Sequence, residues 1–322
     1  MPTLSRRLTQ TAFAGMVVWL GLLFVRLAVT PGPAEDAAHL VLLAPLVLVP
    51  MFLDASLGSA FGTPSRWLTV ASWALGLGAL AAAASAVVPT GPVAGALAAG
   101  WVVATLPVAG WALTRGLRQL RARTLTAPEA LLAAGWATLP GGAVWWLLAR
   151  AGMETGYGEL VGLLTAAHVH YAGAIVAIWG GLLGRMLPAS PLYAGLAAGL
   201  VAGFWGVALG IAWGRGPVGD AGIETVGVIL LAASAVALGA WSLVRAGRFE
   251  DRTAGLMVAV SGGALVLAMG LALWFHLGAR LGTRPPDIGW MVDRHGALNA
   301  YGFGLWGALG WRRLRPPVAT PA

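Results

Sequence analysis

The stretch LVGLLTAAHVHYAGAIVAIWGGLLG, Leu160–Gly184, decides the fold. It runs for 25 residues without an Asp, Glu, Lys or Arg, and about 20 mostly apolar residues in a helix suffice to cross a hydrocarbon layer about 30 Å thick. The apolar run is continuous rather than alternating, so the strand of a membrane barrel is a poor alternative. Nine further stretches read the same way: Thr11–Ala28, Ala37–Gly58, Trp67–Val88, Val93–Leu113, Ala127–Ala149, Leu192–Trp213, Gly222–Val244, Ala254–Leu277 and Gly289–Gly310. The sequence therefore predicts an all-α, polytopic transmembrane bundle of about ten spans, forming a single integral membrane domain over residues 1–322.

Composition points the same way. Only 10% of the residues are charged and 58% are hydrophobic, whereas a soluble domain carries about 25% charged residues. A water-facing surface of ordinary size cannot be built from this chain. That excludes a cytosolic enzyme, a secreted domain and a nucleic-acid binder, and makes the lipid bilayer the first partner. There is no cysteine, which removes disulfides, thiolate metal sites, thiol nucleophiles and iron–sulfur clusters. Any metal must be held by His, carboxylates or other oxygen and nitrogen donors.

All 20 basic residues are Arg, and they cluster between the apolar stretches. Placing the N-terminus in the cytoplasm puts fourteen on the inner side: Arg6, Arg7, Arg66, Arg115, Arg118, Arg121, Arg123, Arg185, Arg245, Arg248, Arg252, Arg312, Arg313 and Arg315. The outer side holds Arg150, Arg215, Arg280 and Arg284. This positive-inside bias predicts cytoplasmic termini in a bacterial-type cytoplasmic membrane. Arg6 and Arg7 would also suit a signal peptide, but the length of the first segment and Arg26 near its far end favour a retained helix. Gly195, Gly199 and Gly203, with Gly180 and Gly184, read as small-residue helix packing. The 16 Trp read as interface anchors and bulk. Pro45 and Pro50 predict a kink in the second span.

Polar residues inside a bilayer are costly and need a partner or a role. The five His, namely His39, His168, His170, His276 and His295, all map to the outer half of the bundle or its boundary. Glu35 lies four residues before His39, and Asn299 four residues after His295, so each pair shares a helix face. Arg26, Glu159, Asp293 and Arg294 gather at the same level, and Thr165 and Tyr171 flank His168 at three residues. The middle and inner layers look almost free of ionisable groups. The pattern predicts one outer polar cavity with His168, His170, His295 and His39 as candidate metal ligands. Glu35, Tyr171, Asn299, Arg26, Asp293, Arg294 and Thr165 would support them. The plainer alternative for each His is a helix–helix hydrogen bond, and His276, at an interface, is best read that way. Glu35, Asp293 and Arg294 also read as ordinary boundary charges.

One geometric limit applies. His168 and His170 stand about 200° apart around a helix and face opposite ways. They cannot both ligate one ion unless a π-bulge distorts the helix. Either one ligates and the other supports it, or each serves a different pocket.

His39, His168 and His295 recur on spans two, six and ten. This layout resembles that of heme–copper oxidase catalytic subunits, in which an HxH serves two hemes. The resemblance implies heme ligation, with Arg26 and Arg294 as propionate partners. The chain departs from that pattern in having ten spans, no adjacent His pair on span seven and no His-Pro-Glu on span six, so oxygen chemistry does not carry over. APLVLVP (Ala44–Pro50), LTAAHVHYAG (Leu164–Gly173) and HGALNAYGFGLWGALGW (His295–Trp311) resemble the membrane part of the YndJ-like family. That resemblance, sometimes labelled transporter-like, makes these segments a family signature and implies no reaction.

Two functions follow as expectations. One is a membrane-embedded site binding a transition metal ion or heme and acting on a small or lipophilic substrate. The other is a secondary transporter using intramembrane His for proton coupling or substrate binding. The short loops leave little surface for a sensor or assembly partner.

Overall fold

In hydrocarbon every backbone N–H and C=O must be paired within the segment, and each apolar stretch of this chain forms a helix. The computed structural model describes residues 2–27, 32–58, 65–214 and 222–319. Ala28, expected to close the first span, and Arg215 lie outside them. Among the described residues nine helices are long and apolar enough to cross a membrane. They are α1 (Pro2–Leu27), α2 (Pro33–Leu57), α3 (Arg66–Val87), α4 (Pro92–Arg121), α5 (Ala127–Arg150) and α6 (Gly158–Arg185), then α7 (Pro191–Gly214), α8 (Ile223–Arg245) and α9 (Arg252–Leu277). A tenth, α10, runs without a break over 288–314 and carries Asp293, Arg294, Arg312 and Arg313. The expected ten segments are all present.

Successive helices pair: α3 on α4, α4 on α5, α7 on α8, α8 on α9 and α9 on α10. At the centre stands α2, almost wholly buried, packed between α1, α6 and α10. Small residues permit the close approaches. Gly199 and Gly203 of α7 lie against Ser234 and Leu231 of α8, and a side chain at Gly15 of α1 would run into the Leu46 carbonyl of α2. Gly195, expected to join that stripe, faces open space.

Three central helices share an irregularity. α2 is π-helical over Ala44–Leu48, α6 over Val169–Ile175, and α10 over Val292–Gly296 and Leu298–Leu305. The π segments of α2 and α6 both touch that of α10. Pro45, which lacks an N–H, falls in the first of them; the expected disturbance near Pro45 and Pro50 is thus a π turn in a continuous helix. Pro107 in α4 and Pro140 in α5 are also accommodated within their helices.

All five His lie toward the end of the bundle where α2, α6 and α10 begin. The opposite end corrects one expectation, because it is not free of buried ionisable groups. Glu129 of α5 accepts from Arg185 of α6 at 2.7 and 3.0 Å, stands 2.6 Å from Arg115 of α4, and accepts from the Ala319 N–H at 3.1 Å. Arg185 also donates to the Ser56 and Pro316 carbonyls. Asp54 of α2 accepts from Arg312 at 3.3 Å and from Arg315. This ionic knot ties α2, α4, α5, α6, α10 and the segment after α10 together.

Candidate functional site

His168 and His170 part company as the two-residue spacing requires, even though the π turn begins between them. His170 is fully buried and points toward α4 and α5. Its Nδ1 lies 2.8 Å from the Ala166 carbonyl, and its Nε2 accepts from the Trp101 indole N–H at 3.1 Å. A carbonyl oxygen only accepts, so the proton sits on Nδ1 and the Nε2 lone pair goes to Trp101. Gly142 of α5 makes room for the ring: a Cβ there would stand 2.6 Å from Nδ1. Both nitrogens of His170 are therefore committed, Nδ1 within α6 and Nε2 to holding α6 against α4.

His168 faces the other way. Its Nδ1 lies 2.6 Å from the Leu164 carbonyl, which fixes the same tautomer and leaves Nε2 with its lone pair. Among the described residues no partner is recorded for that nitrogen, and the side chain is exposed. Nδ1–H on a backbone carbonyl with Nε2 open is the arrangement in which an imidazole acts as a ligand.

The neighbouring ring is His295, with centres 6.3 Å apart and planes at 24°. His295 Nδ1 lies 2.9 Å from the Ala268 carbonyl of α9. The Asn299 amide donates to the His295 carbonyl at 2.9 Å and to its Nε2 at 3.1 Å. Asn299 and His295 thus share a face as their spacing predicts. At about 1.5 Å per residue, His168 stands roughly 15 Å and His295 roughly 10 Å along their helices from the ends where α6 and α10 begin.

The lower half of α6 packs chiefly on α5 and also touches α7 and α8, whereas its upper half, which carries the exposed His168, packs chiefly on α2 and α5.

The other candidates are dispersed. His39 is buried on α2, against Trp19 of α1 with ring centres 4.4 Å apart and planes tilted by 33°, and its Nε2 has no partner among the described residues. Arg26 pairs with Asp36 rather than with a site ligand. The Glu35 carboxylate accepts from the Gly32 N–H and stays exposed at the start of α2. Tyr171 donates to the Leu40 carbonyl at 2.7 Å, joining α6 to α2. The Thr165 hydroxyl bonds the Val161 carbonyl of its own helix. Asp293 and Arg294 are exposed. His276 lies between Glu224 and Thr225, the boundary role expected of it. Among the described residues no three His, Asp or Glu side chains gather closely enough to hold one ion. The structure brings together His168, His295 and Asn299, and places His39 and His170 elsewhere.

Trp101 and Trp19 escaped the sequence reading, which took Trp for interface anchors. The available signal was depth: Trp101 stands nine residues inside α4, away from either boundary. Nothing in the sequence marks the Ala268 carbonyl as the support of His295.

A profile of the YndJ-like family matches residues 39–303. The chain belongs to that family. It is 28% identical over 176 residues to the uncharacterized membrane protein YndJ of Bacillus subtilis (strain 168), a match covering 54% of this chain and 31% of that protein. The aligned part is thus about a third of that relative's length. No solved structure matches the chain. The matched region runs from His39 past Asn299 and so contains every residue of the hollow.

The two HxH imidazoles should separate experimentally. Replacing His170 by Ala strands the buried Trp101 N–H and is expected to cost about 1–3 kcal/mol, read as a lower thermal midpoint in detergent. Replacing the exposed His168 by Ala should stay within about 0.5 kcal/mol. Equal destabilisation by both would contradict the division of roles.

Proposed function

For this member of the YndJ-like family we propose a membrane-embedded metal site. His168 and His295 hold a transition metal ion, the Ala268 carbonyl orients His295 through Nδ1, Asn299 borders the site, and the remaining coordination positions face a small or lipophilic substrate that approaches the exposed His168. One observation supports the reading: the Nε2 of the exposed His168 side chain has no partner among the described residues and lies next to a second imidazole held by a backbone carbonyl. A ring fixed through Nδ1 with its Nε2 lone pair open is ready to take a ligand. The arginine bias supports an outer-half site in a bacterial-type cytoplasmic membrane, with both termini in the cytoplasm. His39 and His170 are outside the ligand set.

The donor set fits a small ion better than heme. His295 Nε2 is 3.1 Å from the Asn299 amide, so an ion needs only that amide to swing away, whereas a tetrapyrrole would have to part α6 from α10. Purified protein should carry about one metal per chain, measured by elemental analysis. The metal should be lost in His168→Ala and His295→Ala and kept in His39→Phe. Metal-free wild-type protein that takes up none on dialysis would refute the site.

A carrier is the second reading, favoured by a different observation. Three central helices are π-helical beside the hollow, and the far end is closed by the Glu129–Arg185 and Asp54–Arg312 pairs. Irregular helices lining a site are typical of carriers. In proteoliposomes this reading predicts proton-coupled solute uptake abolished by His295→Ala; uptake unchanged by that substitution would dismiss it.

A further inference from the structure

The chemistry around the two rings selects among metal ions. We infer that the His168–His295 site takes a monovalent, two-coordinate ion, copper(I), in preference to zinc(II) or another divalent cation. This rests on the metal-site reading above and goes further by naming the ion.

Ligand count is the first argument. Two imidazoles are present, and among the described residues no third His, Asp or Glu joins them. Zinc is almost always four-coordinate in structural sites and has three protein ligands in catalytic ones. Copper is well served by imidazole nitrogen, and its monovalent form is stable with two ligands in line.

Charge is the second. Imidazole ligates a metal as the neutral ring, and Asp36, Glu224 and Asp287 are engaged elsewhere: Asp36 with Arg26, Glu224 beside His276, Asp287 on the Trp290 N–H. Asp293 is exposed, two residues from His295 and on another face of α10. The cost of moving an ion out of water into a medium of low polarity rises with the square of its charge. A divalent ion therefore pays about four times the monovalent penalty, with no carboxylate to offset it.

Spacing is the third. Ring nitrogens sit about 2.0–2.1 Å from a bound ion, and a ring centre lies roughly 1 Å behind its nitrogen. Two rings in line through one ion then have centres about 6 Å apart, while a tetrahedral angle draws them to about 5 Å. The observed centre separation is 6.3 Å with the planes at 24°, close to the in-line value; the copper(I) site further requires both Nε2 atoms to turn toward the ion.

The test is a competition in the detergent-purified protein. Copper(I) is titrated anaerobically against a chromophoric chelator, with parallel titrations of zinc(II) and hemin. One copper(I) per chain is expected, held roughly tenfold or more tighter than zinc(II) and lost in His168→Ala. X-ray absorption should show two nitrogen ligands at about 2 Å. In Asn299→Asp the added carboxylate should move the preference toward zinc(II). Tighter binding of zinc(II), with four ligands, would overturn the copper(I) assignment and leave the metal site standing. A Soret band that requires His168 would overturn it in favour of heme. Retention of no ion and no hemin would overturn both this inference and the metal site itself.

Discussion

Inside a hydrocarbon layer a polar group has no water to fall back on, so each must find its partner within the protein. That constraint shapes almost every polar side chain of this bundle. Trp101 satisfies His170, Leu40 satisfies Tyr171, Ser85 satisfies Trp146, and Arg185 and Arg115 satisfy Glu129. The functional account grows from the Nε2 of His168, open on an exposed side chain, unlike the buried indole nitrogens of Trp179 and Trp311, which also lack partners among the described residues. Buried His39, also short of a partner, differs in being sealed between Trp19 and the core.

The two ends of the bundle have different chemistry. The histidine end gathers imidazoles held by backbone carbonyls, at Leu164, Ala166 and Ala268. The arginine end is bound by buried ion pairs, whose severance would leave an uncompensated charge costing about 3–5 kcal/mol. The knot therefore gives α2, α6 and α10 a common anchor at one end, while the first half of α2 still packs on the starts of α6 and α10 at the other. Their π segments sit between the two regimes, and π turns of this kind often occur at functional sites.

Much of this was legible in the chain. Continuous apolar runs gave all ten helices, and the two-residue spacing of His168 and His170 foretold that their rings would face different neighbours. The four-residue step from His295 to Asn299 foretold their contact. What stayed hidden is tertiary. Nothing local says that His170 meets Trp101, 69 residues earlier, or that His39 turns toward α1 instead of joining His168. Shared depth in the membrane fixes a level, while helix rotation decides which side chains meet. Asp54 and Glu129 were passed over for a related reason: a lone carboxylate near a span boundary looks like a solvated cap until its arginines arrive from other helices.

The most direct measurement is nitrogen NMR of the purified protein with all five His ring-labelled, recorded before and after one equivalent of metal. The account predicts that the His168 and His295 signals move together while those of His39, His170 and His276 hold their places. Movement of His170 with His168, or no movement of either, would contradict it.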